Sequence, residues 1–261
     1  SSDLALSPTL LQAATDHPVM VGFSGGLDSS VLLHLLANAP GRQQGSVRAL
    51  HVHHGLQSAA DHWQQHCAAV CAQWNIPLQI VPVQVARDAG HGLEAAARDA
   101  RHVAFKANLR QGEWLALAQH QDDQAETFLL RALRGAGVEG LAAMQELRAF
   151  EPGMLWRPLL HLPRVALEQY AAQQQLRWID DPSNDSADFD RNFLRLQVLP
   201  LLRQRWPHAS AAMARSAGLA AQAAGLLGDA DDTLLHECSS ADGALQVLAL
   251  KQLAPAQQAR V

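Results

Sequence analysis

Val19-Met20-Val21-Gly22-Phe23 runs directly into Ser24-Gly25-Gly26-Leu27-Asp28-Ser29, and the helix-patterned Ser30-Val31-Leu32-Leu33-His34-Leu35-Leu36 follows at once. An apolar strand that ends in a Gly-rich turn and opens a helix is an anion site. The turn's backbone N–H groups converge, and the helix N-terminus adds a partial positive charge. Gly25 and Gly26 give the backbone its freedom, while Ser24, Ser29 and Ser30 contribute hydroxyls. Asp28 is the odd member. A carboxylate beside a phosphate cradle is unfavourable unless it holds a metal ion or orients a substrate. The plainer alternative is an ordinary strand–turn–helix corner.

Two common phosphate motifs are excluded. A Walker loop needs Gly-Lys-Ser/Thr, and the only lysines, Lys106 and Lys251, do not follow glycine. Gly135-Ala136-Gly137-Val138-Glu139-Gly140 has GxGxxG spacing but follows a helical stretch instead of a strand, so it reads as a loop. At 261 residues, 48% of them hydrophobic, the chain has room for one large or two modest domains with a sizeable core. Its apolar runs fall short of a membrane span and the N-terminus lacks a secretory layout, so no membrane partner is expected. Cys67, Cys71 and Cys238 form neither a CxxC pair nor a zinc knuckle and read as buried thiols in a reducing cytoplasm. The formal charge of −5 argues against indiscriminate nucleic-acid binding, although a local arginine face remains open.

Outward from the turn, strands and helices alternate. Strands are expected at Val19–Phe23, Val47–Val52, Leu78–Val85 and Trp114–Ala118, with helices at Ser29–Asn38, Asp61–Asn75, Leu93–Asn108 and Asp122–Leu133. This rhythm predicts an α/β fold, a doubly wound and mostly parallel sheet of Rossmann-like type. Ligands then gather at the C-terminal strand ends. Four loops fall there: Ser24–Ser29, His51–Gly55, Gly90–Leu93 and His120–Asp123. After the turn-rich Asp181–Ser186, a helix is expected over Asn192–Arg205 and alanine-rich helix from Ala209. We expect a catalytic domain with its connecting helix over 1–200. A smaller, all-helical and incomplete domain should occupy 201–261, as in a fragment of a longer protein.

Three further groups carry chemistry. Glu94, Arg98 and Arg101 share a helix face at the ligand edge; they form either a surface ion-pair ladder or a fork for phosphate. Asp122, Asp123 and Glu126 share a helix start, where carboxylates cap the helix, ligate Mg²⁺ or orient an amine. Capping does not explain Glu126. His51, His53 and His54 read as polar neighbours of a nucleotide in preference to metal ligands.

The Ser-Gly-Gly-x-Asp-Ser run resembles the pyrophosphate loop of the N-type ATP pyrophosphatases, which cleave ATP to AMP and pyrophosphate. Ser24–Ser29, His51–Leu56, Gly92–Arg101, His120–Met144, Arg157–Leu160 and Trp178–Pro200 together resemble the tRNA(Ile)-lysidine synthetases. Coverage runs from about residue 19 to 202, and Asp122–Thr127 through Arg134–Gly137 is the most specific stretch. His53 departs from the asparagine usual in that family.

That resemblance implies a cytoplasmic ligase with ATP and Mg²⁺ as cofactors and a CAU-anticodon tRNA(Ile) and free L-lysine as partners; a homodimer is compatible with it. It implies ATP binding by Ser24, Gly25, Gly26, Leu27, Asp28, Ser29, Ser30 and His51. Asp28, Arg98 and Glu126 would be catalytic, with Glu126 the general base. Asp122, Asp123, Glu126 and Arg101 would face lysine and the base, Asp28 and Asp122 would hold Mg²⁺, and Arg191, Arg195, Arg203 and Arg205 would touch tRNA. For those four arginines, a solvated linker helix is the plainer alternative. The rivals are a tRNA thiolase of the same superfamily, which needs active-edge cysteines, and a non-catalytic nucleotide- or tRNA-binding module, which would have lost its carboxylates.

Overall fold

A computed structural model describes residues 15–41, 43, 45–53, 60–84, 93–180, 189–240 and 244–260. Six strands form one sheet in the order β3-β2-β1-β4-β6-β5. They are β1 (Val19–Gly22), β2 (Val47–His53), β3 (Leu78–Pro82), β4 (Trp114–Ala116), β5 (Leu147–Phe150) and β6 (Gly153–Trp156). All neighbours are parallel except β5 and β6, which pair antiparallel. The expected four-strand parallel sheet is present. The β5–β6 hairpin extends it beyond what the sequence pattern announced.

Period-two alternation divides each strand between two cores. Val19, Val21, Val47, Ala49, Trp114 and Trp156 face one core with α1 (Leu27–Ala37), α2 (Ala60–Gln73) and α6 (Arg164–Gln173). Met20, Leu50, Val52, Leu115 and Leu155 face the other, against α3 (Leu93–Asn108). Apolar residues on both faces explain why β1 reads as a continuous hydrophobic run. The helices α1 and α2 carry the chain outward from β1 to β3. Then α3 returns it on the opposite face to β4, on β1's other side. The strand order therefore reverses between β1 and β4, and ligands bind such sheets at that switch point, beyond the strands' C-terminal ends.

At the opposite edge, Arg48 from β2 meets Glu113, just before β4, through Nε–Oε1 at 2.7 Å and Nη2–Oε2 at 2.6 Å. Gln79 and the Asn108 carbonyl accept from Nη1 and Nη2 as well. This buried pair fixes the end of the sheet away from the ligand edge. The remaining described helices are α4 (Gln121–Leu133), α5 (Val138–Leu141), α7 (Asp190–Phe193), α8 (Leu199–Arg205), α9 (Ala209–Glu237), α10 (Val247–Leu250) and α11 (Pro255–Gln258). The sequence pattern predicts one helix over Asn192–Arg205. It is broken instead by a π-helical segment, Leu194–Val198, between α7 and α8. The long α9 packs along α4 and α5, so the C-terminal helix braces the element that carries Asp122, Asp123 and Glu126. Among the described residues, no helix is long and apolar enough to cross a membrane.

Candidate active site

Gly25 takes φ +83°, which an L side chain rarely adopts, and a Cβ there would lie 2.9 Å from Cys67 Sγ. Both its conformation and its packing against α2 therefore demand glycine. On the other side, the Ile179 amide donates to the Gly25 carbonyl at 3.0 Å. Ser29 Oγ donates to the Gly26 carbonyl at 3.0 Å, which leaves Ser24 Oγ to donate to Ser29 Oγ, also at 3.0 Å. The Gly26 amide in turn donates to Ser24 Oγ. No side chain caps the N-terminus of α1. Its first amides are thus left for an anion, as helix N-termini commonly are.

His51 projects toward the same loop from β2. Its Nδ1 lies 2.9 Å from the Phe23 carbonyl and 3.5 Å from Cys67 Sγ. Burial holds its pKa below the usual value, so the ring donates Nδ1–H to the carbonyl as a neutral imidazole. Burial also pushes the Cys67 and Cys71 thiols up to about 12. They are thiols at neutral pH, and α2 packs them into the core as small apolar groups.

Across the switch point, His120 begins α4 as its N-cap. The Asp122 amide donates to His120 Nδ1 at 3.2 Å, and the His120 amide donates to Asp123 Oδ2 at 3.0 Å, completing a capping box. Because Nδ1 accepts, its proton sits on Nε2, which lies 3.4 Å from Asp123 Oδ2 and 3.6 Å from Asp28 Oδ2. Burial works against charging this ring, but Asp123, Asp28 and Asp122 outweigh it and raise its pKa. His120 therefore joins the Ser24–Ser29 turn to the carboxylates of α4. Asp28 Oδ1 is buried and, among the described residues, has no hydrogen-bond partner, which leaves one oxygen of this aspartate for a cation or a donor.

The three α4 carboxylates are each met by arginine. Arg203 donates to Asp122 Oδ1, and the Arg164 amide donates to Oδ2 at 3.2 Å. Arg195 Nη2 donates to Asp123 Oδ1 at 3.0 Å. Glu126, only 1% exposed, takes Arg195 Nε at 2.7 Å and Arg191 Nε at 2.9 Å. Arg191 also donates to Thr127 Oγ1. The π-helical segment carries Arg195, and such i→i+5 turns recur at functional sites. Arg203 is further fixed by Ser210 Oγ of α9.

The structure thus brings together Ser24 through Ser30, His51, Asp28, Asp122, Asp123 and Glu126. It turns Arg191, Arg195 and Arg203 inward onto the carboxylates, while Arg205 stays exposed with its guanidinium 5.7 Å from the Trp206 ring centroid. Arg98 and Arg101 are exposed on α3. His54, Gly55, Gly92, Asp181–Ser186 and the Glu94 side chain lie outside the described residues.

Against this geometry, a family model described as a PP-loop domain matches residues 5–202. The chain belongs to the PP-loop domain family. Among curated relatives, a tRNA(Ile)-lysidine synthase from Xanthomonas axonopodis pv. citri is 58% identical over 252 residues, covering 97% of this chain and 57% of that protein. One from Xanthomonas campestris pv. campestris is 55% identical, covering 99% and 60% respectively. The chain thus spans somewhat over half the length of these relatives. The PP-loop fold is also similar to a U34-tRNA thiolase from Methanococcus maripaludis with its [4Fe-4S] cluster, at TM-score 0.64 and 17% identity, covering 81% of this chain and 73% of that one. That likeness speaks to fold alone.

No motif in the sequence gives His120 a role at the PP-loop site. Its signal was position: it is the last residue between β4 and an acidic helix start, where a side chain both caps and faces the switch point.

Proposed function

We infer that the protein is the PP-loop portion of a tRNA(Ile)-lysidine synthetase, a cytoplasmic ligase that uses ATP to attach free L-lysine to the wobble cytidine of a CAU-anticodon tRNA(Ile). The observation that carries this reading is the juxtaposition of Asp28 and the α4 carboxylates across His120, with Nε2 at 3.6 Å from one and 3.4 Å from the other. Identity above half to relatives bearing that name supports it.

In this mechanism the Ser24–Ser30 turn and the α1 N-terminus bind the β- and γ-phosphates of ATP. His51 packs beneath the turn and holds its backbone. The cytosine carbonyl oxygen attacks the α-phosphorus, an O–P bond forms, and pyrophosphate leaves. Arg98 and Arg101 supply positive charge for the α-phosphate and the activated base. The ε-amine of lysine then attacks the activated ring carbon, and the carbon–oxygen bond breaks to release AMP. A proton must leave the ammonium before attack. Asp123, close to His120 Nε2, and Glu126 are the acceptors available, with Glu126 able to act once a guanidinium moves off it.

Mg²⁺ fits Asp28, whose buried Oδ1 has no partner among the described residues and is a hard oxygen donor. When bound, Mg²⁺ would neutralise the charge of the departing pyrophosphate. Asp122 fits less well, since both its oxygens are already accepting. Residues 201–261 are proposed to begin the tRNA-contacting domain.

The thiolase alternative lacks support in the thiols, since Cys67 and Cys71 are buried and pushed up to about 12. Incubation with ATP, Mg²⁺, labelled lysine and a CAU-anticodon tRNA(Ile) transcript tests the reading. Lysine should become covalently attached with stoichiometric AMP, and Asp28→Ala should abolish both. AMP without attached lysine would remove the substrate assignment and leave only the PP-loop chemistry.

A further inference from the structure

Arg157 is 7% exposed, yet among the described residues it meets only neutral acceptors: Gln119 Oε1 at 3.2 Å and the Gln145 carbonyl at 2.7 Å. Its surroundings follow from the sheet register. Arg148 pairs directly with Leu155 in the antiparallel β5–β6 ladder, so the two share a face; Phe150 and Arg157, each two residues away, share it too. That is the face covered by α3. There the Phe150 ring lies between His102 of α3, with centroids 6.0 Å apart, and the Arg148 guanidinium, 5.8 Å from its centroid. Arg98 is four residues before His102, one helical turn nearer the C-terminal edge of the sheet. Arg131 approaches from α4, donating to the Gly140 and Ala143 carbonyls.

Among the described residues, none of Arg98, Arg131, Arg148 and Arg157 forms an ion pair with a carboxylate. Seven other arginines do: Arg48, Arg134, Arg164, Arg191, Arg195, Arg203 and Arg260. Burial first, and then Arg148, Arg98 and Arg131 as neighbouring charges, lower the Arg157 pKa to about 10. Burial first, and then Arg98, Arg101, Arg148 and Arg157, hold His102 below its usual value. In a chain of net charge −5, carboxylates were available to neutralise this group. Like charges gathered without them are destabilising, and a bound anion offsets that cost.

The geometry points to a second phosphate-binding surface, formed by Arg131, Arg148 and Arg157 beside the ends of β4 and β6 and bordered by the Arg98 assigned above to the α-phosphate, that holds the phosphodiester backbone of RNA next to the base delivered to the PP-loop. This deepens the tRNA reading and rests on it. The PP-loop follows β1, and β6 is the second strand over, about 10 Å away at ordinary strand spacing. An RNA strand, with a phosphate at every nucleotide, crosses that span while its base reaches the switch point. Three of the arginines on 190–205 are already engaged by carboxylates, so this surface supplies cations they do not. Phosphate contacts of this kind position the RNA, and the site beyond them reads the base.

The test uses Arg148→Ala and Arg148→Lys, since Arg148 sits over Phe150 without anchoring a loop. Affinity for the tRNA transcript is measured across a potassium chloride series, and ATP affinity separately by equilibrium dialysis. Arg148→Ala should weaken tRNA binding and flatten the log K against log salt slope by about 0.7–0.9, the loss of one phosphate contact. Arg148→Lys should restore the slope, and ATP affinity should be unchanged in both. Weaker ATP binding with an unaltered tRNA slope would assign the surface to nucleotide phosphate and overturn the RNA proposal. No change in either affinity would overturn it as well. Wild-type lysine attachment with an unaffected slope would remove this surface alone, whereas a flattened slope without lysine attachment would remove the ligase reading alone.

Discussion

Glu126 lies against Arg191 and Arg195 with almost no exposure, and this decides what its substitution does. Glu126→Gln leaves two guanidiniums around a neutral amide, and the segment carrying them loses its ion pairs with Glu126 while keeping those of Arg195 with Asp123 and Arg203 with Asp122. We expect lysine attachment to fall about a hundredfold, as misplacement of reacting groups by an ångström produces. Asp123→Asn should lower the rate with a shift in its pH profile, because Asp123 also faces the His120 proton; steady-state assays over pH distinguish the two. At the far edge, Glu113→Gln breaks a buried pair and should cost about 3–5 kcal/mol in urea unfolding. Burial works to raise the Glu113 pKa, but its bonds with Arg48 and the Arg110 amide outweigh it and hold it below the ordinary 4.5. That stabilisation is complete above 4.5 and is lost as pH falls through the lowered value. The wild type should therefore lose stability more steeply than Glu113→Gln under acid, as urea midpoints would show. Cys67 and Cys71 should resist iodoacetamide at pH 8 until urea unfolds the chain, as mass spectrometry can establish; alkylation in the native state would reopen the thiol chemistry.

The turn after β1 was legible because its glycines, hydroxyls and flanking patterns agree, and each has a local cause. Gly25→Ala should abolish tight ATP binding, since alanine meets both a left-handed φ and Cys67 Sγ. Gly45→Ala shares a positive φ, +84°, but its Cβ meets nothing within 4 Å, so it should cost stability by about 1–2 kcal/mol and leave ATP binding intact. Calorimetric titration of both variants separates backbone strain from the packing of the turn on α2. The β5–β6 hairpin was not legible: its strands are four residues each, and the Glu151-Pro152 turn lacks the usual hairpin signals. Its place on the sheet is set by a long-range contact instead. A Cβ at Gly153 would fall 1.9 Å from the Glu113 carbonyl, so the hairpin docks where only glycine fits. The π-helical break in 190–205 was equally hidden: its Arg195 bonds Glu126 and Asp123 of a helix far off in sequence, which no local pattern marks.

Over the whole molecule, the crossover of α3 to the other face of the sheet puts the PP-loop and α4 on adjacent strands, and everything proposed for the site follows from that adjacency. Sequence periodicity revealed the alternation of strands and helices, and with it the edge where the loops after β1 and β4 meet. It could not reveal that arginines 191, 195 and 203 fold back onto α4, since nothing local distinguishes an inward guanidinium from a solvated one. In the proposed reaction the cytosine carbonyl oxygen ends as a phosphate oxygen of AMP. A transcript carrying heavy oxygen at the wobble cytosine carbonyl, incubated with ATP and lysine, tests it directly by mass analysis of the released AMP. Transfer of one heavy oxygen to AMP for each lysine attached is the predicted result. AMP that carries only solvent oxygen, with the label retained in the base, would contradict activation of the cytosine.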